Sequence, residues 1–89
     1  GPRMTREELT VRILESAKVE VTSQQGTPHV HYTVSLYWHG LGDYRGSSTT
    51  REQWDDPHTR ESIVRNEVNI LAGFLTDKLI KVISDLGLK

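Results

Sequence analysis

The stretch LTVRILESAKVEV, residues 9–21, decides the fold because its apolar side chains, apart from Leu14, fall on every second position. One parity contains Leu9, Val11, Ile13, Ala17, Val19 and Val21, interrupted by Glu15. A period of two is typical of a strand with one buried face. Thr5 and Glu8 offer an alternative, since their spacing resembles a capping box that begins a helix. The alternation and the β-branched valines favour a strand over residues 9–16, and residues 17–23 are predicted as strand.

Two further strands follow this first element. Residues 30–38 alternate cleanly, and residues 44–50 form a weaker strand whose Gly46 and Ser/Thr run suit an edge. Turn residues at 23–28 and 40–43 separate the three segments. Short connections of this kind predict an antiparallel meander. In the second strand one face carries Val30, Tyr32, Val34, Leu36 and Trp38, and the other carries His29, His31, Thr33, Ser35, Tyr37 and His39.

A long helix ends the chain. Thr50 and Gln53 are spaced as a capping box for a short helical turn, and Asp56 followed by Pro57 begins the long helix. Gly87 ends it. Its apolar stripe recurs at steps of three and four residues: Val64, Val68, Leu71, Leu75, Leu79, Val82 and Leu86. The sequence therefore predicts an α+β fold, an antiparallel three-stranded meander followed by a long C-terminal helix packed on one sheet face. The predicted buried set is Val19, Val21, Val30, Val34, Leu36, Val64, Val68, Leu71, Leu75 and Leu79.

Size and composition narrow the function classes. The 89 residues suffice for one domain over residues 4–89, and residues 1–3 are interpreted as a tag scar or a disordered start. The net charge of −1 provides no global field for nucleic acid or anionic lipid. The chain has no cysteine, so disulfides and thiolate metal sites are excluded. No apolar run is long enough to span a bilayer, and we expect a cytoplasmic protein with no membrane partner.

The helix carries more apolar surface than one sheet needs. Thirty helical residues extend roughly 45 Å, whereas a ten-residue strand spans about 33 Å. Ile63, Ile70 and Phe74 lie on a flank of the main stripe, outside the ~100° arc that faces a single layer. Either the helix breaks at Gly73 and folds back, or a second chain covers the flank. We expect a homodimer in which these three residues mediate self-association.

Candidate binding residues lie on the polar face of the sheet. His29, His31, Tyr37 and His39 share that face, and Arg45 comes from the next strand. Aromatic and imidazole side chains there are suited to anchoring a partner. Trp54 is a further candidate, either as an exposed anchor or as a plug at one end of the core.

Catalytic and metal signals are weak. His29 and His31 supply half of a zinc site that Asp43 or Asp55 would have to complete, and a solvated polar face is the simpler interpretation. Asp55 and Asp56 are explained by helix capping. No nucleophile elbow, phosphate loop or metalloprotease motif occurs. We therefore predict no enzyme, no catalytic residue, no metal ligand and no cofactor.

The order of a meander and a helix is similar to the second half of a double-stranded-RNA-binding domain. The run GTPH, residues 26–29, resembles the loop that such domains place against the minor groove. Residues 56–61 stand where that family carries a lysine cluster, and the first element reads as a strand where the family has a helix. The strand order is also similar to periplasmic lipopolysaccharide-assembly lipoproteins. No functional residue is carried over from either family.

The leading hypothesis is a small non-enzymatic protein–protein interaction module that self-associates through its C-terminal helix. The alternative is an RNA-binding domain that resembles a divergent double-stranded-RNA-binding fold. Nucleic acid is less favoured because of the charge balance. A third hypothesis is a small metal-binding protein that uses His29 and His31.

Overall fold

A computed structural model describes residues 4–26 and 28–87. The elements, in chain order, are α1 (Arg6–Ser16), β1 (Lys18–Gln24), β2 (His29–Trp38), β3 (Leu41–Thr50), α2 (Arg51–Asp55) and α3 (Pro57–Asp85). The strands form one antiparallel sheet in the order β1-β2-β3. This confirms the predicted meander followed by a long helix. Thr27, in the turn between β1 and β2, lies outside the described residues.

The first element is a helix over residues 6–16, so the prediction of a strand over 9–16 is wrong. Its capping box forms in both directions. The backbone N–H of Glu8 donates to the Thr5 hydroxyl at 3.1 Å, and the Glu8 carboxylate accepts from the Thr5 N–H at 3.2 Å. These bonds satisfy donors that a helix start leaves free. Ile13, fully buried, anchors the helix in the core, while Val11 of the same parity is 52% exposed.

The strand register sorts side chains onto two faces. In β2, Val30, Tyr32, Val34 and Leu36 are buried beneath the helices. Their partners in β1 and β3 share that helix-facing side, because directly paired residues in a sheet point the same way. The other side, called the open face below, carries His29, His31, Thr33, Ser35 and Tyr37 of β2 with their pairing partners. The predicted parity of β2 is therefore confirmed.

The core lies between β2 and the helices α1 and α3. Its buried apolar members are Ile13, Val30, Tyr32, Val34, Leu36, Trp54, Leu71, Ala72 and Leu75. Val64 and Val68 pack against it and are partly buried. Val19 and Val21 were expected in this set, but they are 43% and 42% exposed. They do face the helix-facing side, but the helices pack over β2 and β3 and leave β1 uncovered.

The helix α3 runs without a break through Gly73 from Pro57 to Asp85. The fold-back alternative is therefore wrong. At its start the Thr59 hydroxyl donates to the Asp56 carboxylate at 2.6 Å, and this bond lowers the pKa of the Asp56 carboxyl below its ordinary value. Gly87 has a φ of +74°, the left-handed conformation that glycine adopts at little cost after a helix.

We predict that Leu71→Ala destabilises the domain by roughly 2–5 kcal/mol, because it opens a cavity in a close-packed core. Leu71 is fully buried between α3 and β2. Urea unfolding followed by circular dichroism measures the change. Val11→Ala on the exposed side of α1 is the control, and we expect it to change stability by less than about 0.5 kcal/mol. Equal effects of the two substitutions would contradict the placement of Leu71 in the core.

Candidate interaction surfaces

The open face of the sheet is polar and uncovered. His29, His31 and Tyr37 lie on it as predicted, and all three are exposed. Thr22, Gln24 and Thr33 surround His31 and form a shallow depression with it. Hydroxyl, amide and imidazole groups of this kind offer hydrogen bonds to a partner without a strong field of either sign.

Two tyrosines form the aromatic part of the open face. The Tyr37 ring lies over Gly42 of β3, so close that a Cβ atom at position 42 would approach the ring Cδ1 to 2.8 Å. Tyr44 pairs with Ser35, one step along the sheet on the same face, and it is 70% exposed. The sequence pattern did not indicate Tyr44 as part of this face. The face on which Tyr44 lies depends on how β3 pairs with β2, and that register could not be read from the sequence.

His39 leaves the open face because the chain turns there. Its φ of +47° places it in the turn between β2 and β3. Its ring meets the Trp38 ring edge-on, with centroids 4.6 Å apart. His39 is therefore exposed at the end of the sheet, about 33 Å along a strand from His29 at the start of β2.

Arg45 lies on the helix-facing side, so its predicted position on the open face is wrong. It pairs with Val34, and its Nε donates to Glu67 of α3 at 2.7 Å. The Glu67 side chain is buried, and the Arg45 guanidinium also lies 6.0 Å from the centre of the Phe74 ring. A buried carboxylate requires a cation or donors close by. Arg45 therefore neutralises Glu67 under α3.

Trp54 is buried, which excludes the exposed-anchor interpretation and confirms the core plug. Its ring stacks on Tyr32 at a centroid distance of 4.9 Å and an interplanar angle of 15°. The Arg60 guanidinium lies over the ring at 5.8 Å. The Thr50 hydroxyl accepts from the Gln53 N–H at 3.1 Å and so begins the short helix α2 that delivers Trp54 to the core.

The flank expected to mediate self-association is partly covered by the chain itself. Ile63 packs against the core, and Ile70 is half-buried. Phe74 is 42% exposed beside Arg45. Of the three residues, Phe74 therefore presents the most surface to a partner.

A larger apolar surface lies in the last residues of α3 and just after them, in residues 79–87, called the α3 end below. Lys78 is the last residue of α3 that bonds to the sheet, with its Nζ 3.0 Å from the Gly42 carbonyl oxygen. Beyond it the helix continues past the turn between β2 and β3. Its apolar side chains are Leu79, Ile80, Val82, Ile83 and Leu86, of which all but the partly buried Leu79 are exposed.

The candidate metal ligands do not converge. Asp43 lies 3.4 Å from Lys78 and Asp55 lies 3.6 Å from Arg51, in ion pairs at opposite ends of β3. Within residues 4–26 and 28–87, no three His, Cys, Asp or Glu side chains are grouped as a metal ion requires. In the same ranges no helix has the length and apolar character needed to cross a membrane.

Comparison with protein-family models, curated protein sequences and solved structures gives no match to this chain.

We predict that Arg45→Ala destabilises the domain by about 1–3 kcal/mol, because it leaves the Glu67 carboxylate buried without its partner. Adding Glu67→Gln should recover part of that loss, since the buried charge is then removed. Thermal or urea unfolding of the four members of this double-mutant cycle measures the coupling. Arg65→Ala, which breaks an exposed i,i+4 pair with Glu61, is the control and should cost about 0.5 kcal/mol or less. Additive effects at Arg45 and Glu67 would contradict the interaction.

Proposed function

We propose that this chain is a small protein–protein interaction module that self-associates through the α3 end. The observation that carries the proposal is the apolar surface that extends beyond the domain's own core. Residues 79–87 stand clear of the sheet, and the protein is 52 Å along its longest axis against 21 Å across. A contiguous exposed apolar surface on a small domain marks an interaction site or an aggregation hazard.

The apolar side of the α3 end continues the core stripe. Leu75 is fully buried against the sheet, and Leu79, Val82 and Leu86 follow at steps of four, three and four residues. Steps of this kind place side chains along one side of a helix and suit packing against a second helix. Leu86 is 68% exposed, so within residues 4–26 and 28–87 the end of the stripe is left open.

A second copy is the simplest partner because each copy then covers the other's stripe through one isologous contact. The contact is small. About two helical turns bury well under the ~800 Å² per partner of a standard stable interface. We therefore expect a weak association that depends on concentration.

We predict that the average mass of the protein rises with concentration in the micromolar to millimolar range. Leu86→Glu should weaken the association at least about tenfold, because two-fold packing places a buried carboxylate in each copy's stripe. Sedimentation equilibrium over a concentration series measures the constant. Since Leu86 is exposed in the single chain, the substitution should not unfold the domain, which circular dichroism checks.

Ser84→Glu is the matched control, because it adds the same charge to the polar side of the same helix. It should leave the association constant unchanged within about twofold. A constant monomer mass over the whole range would overturn self-association. Equal weakening by both substitutions would move the contact away from the apolar stripe.

Binding of double-stranded RNA is the second candidate, favoured by one observation. Double-stranded-RNA-binding domains have a helix at the position where a strand was expected here. Residues 6–16 form a helix, so the chain agrees with that family in this element. The turn that includes Gly26 and Pro28 also lies beside α2, since the Arg51 N–H donates to the Pro28 carbonyl oxygen at 2.9 Å.

The charges at that end of the molecule oppose this candidate. Arg51 pairs with Asp55 and Arg65 pairs with Glu61, so a carboxylate offsets the positive charge of each. Glu52 and Asp56 add further negative charge near the start of α3. Titration of a 16-base-pair RNA duplex at 50 and 200 mM salt decides between the two functions. Binding that weakens steeply with salt supports an RNA-binding domain, and no binding leaves the interaction module.

A further inference from the structure

The free edge of β1 is open to another strand. β1 pairs with β2 along one edge, and no described residue pairs with the other. All seven residues, KVEVTSQ, are exposed, and none is a proline or a glycine. Such an edge presents unpaired backbone N–H and C=O groups, which natural proteins usually protect with a bulge, a proline, charged side chains or a covering element. β1 carries the charged residues Lys18 and Glu20, but within the described chain it has no bulge, proline or covering element.

The helix-facing side of this edge is apolar as well as uncovered. Val19 and Val21 are 43% and 42% exposed there. The other edge of the sheet differs, because α2 and α3 pack on β3 and Arg45 binds Glu67 above it. β1 therefore combines open backbone groups with two half-exposed valines, the features that a docking strand uses.

We infer that β1 pairs with β1 of a second copy, antiparallel and across a two-fold axis at Val21, joining the two sheets into one. In this register Val21 of each copy faces the other, Glu20 faces Thr22, and Lys18 faces Gln24. No charge faces a like charge, and all seven residues of each strand take part. Cross-strand pairs of this kind stabilise an antiparallel ladder.

Two neighbouring registers, with the two-fold axis at Glu20 or at Val19, also keep all the valines on one side of the joined sheet. Each is disfavoured for a separate reason. An axis at Glu20 places the two Glu20 carboxylates opposite each other, which is destabilising. An axis at Val19 uses Ala17 opposite Val21, but the Ala17 N–H is already bonded to the Ile13 carbonyl oxygen at 2.8 Å as the cap of α1. The strand's own charges and the end of α1 thus oppose these two axes, and an axis at Thr22 would pair only residues 20–24 of β1, whereas the axis at Val21 pairs all seven residues.

This contact is separate from the α3 end. It uses β1, whereas the helix contact uses residues 79–86, and neither contact requires the other. Two different isologous contacts on one chain connect copies into an open row rather than a closed dimer. The test is therefore performed in the Leu86→Glu background, where the helix contact is weakened and any dimer that remains reports on β1.

A charge pair tests the register in that background. Thr22→Lys places a lysine opposite Glu20 of the second copy, twice per dimer, and Thr22→Glu places a carboxylate there. We expect the lysine variant to dimerise at least about tenfold more tightly than the glutamate variant. Ser48 of β3 lies on the same face of the sheet as Thr22, but two strands away from the free edge of β1. Ser48→Lys and Ser48→Glu should differ by less than about threefold and so control for net charge.

Cysteine cross-linking gives a second readout, since the chain contains no cysteine of its own. Val21→Cys should form a disulfide between copies under mild oxidation, because directly opposed residues lie within the required Cα distance of about 4.4–6.8 Å. Val19→Cys should not, because the two copies of residue 19 are about four residues out of register. Faster cross-linking at position 19 than at 21, or no difference between Thr22→Lys and Thr22→Glu, would overturn the inference.

Discussion

The dominant constraint on this structure is that its two main helices are too few to cover all three strands of the sheet. α3 and α1 pack over β2, and the fully buried side chains Val30, Val34 and Leu36 of that central strand form one core cluster with Leu71 and Leu75 of α3. One long helix and one short helix cover about two strands at the ~4.8 Å spacing of a sheet. β1 is left without a layer above it, and the last turns of α3 are left without a sheet below them. Both exposed apolar surfaces follow from this mismatch.

The strands and the last helix could be predicted from sequence because their periodicity has a single interpretation. Alternation over residues 30–38 fixed the face of every β2 side chain, and Asp56-Pro57 placed the start of α3. Residues 9–16 were different, since Leu9 and Ile13 fit either period. The Thr5–Glu8 capping box, the contact of Arg6 with Asp77 at 3.0 Å, and the bond between the Thr10 and Thr76 hydroxyls at 2.8 Å favour the helix. Two of these three contacts join residues more than 60 positions apart, so the local pattern did not reveal them.

The candidate binding residues were harder to predict because exposure depends on what packs nearby. The parity of β2 placed His29, His31 and Tyr37 correctly. Arg45 required the register of β3, which depends on a turn at His39 and Gly40 rather than at residues 40–43. The exposure of Val19 and Val21 required knowledge of where the helices end across the sheet. Their alternation correctly gave the face they share, but alternation carries no information about whether that face is covered.

The same limit explains why the most exposed apolar side chains of α3 lie farther along the helix than the flank of Ile63, Ile70 and Phe74. The excess of apolar surface on α3 follows from its length alone, and the structure keeps that excess. Ile63 and Ile70 lie where α3 still crosses the domain, so the chain covers them in part. Residues 79–86 lie beyond the last bond to the sheet, at Lys78, and all of them except the partly buried Leu79 are exposed. A helix longer than its sheet places its uncovered side chains at its free end, so the exposure of these side chains follows from their distance past the last sheet contact rather than from their angular position on the helix.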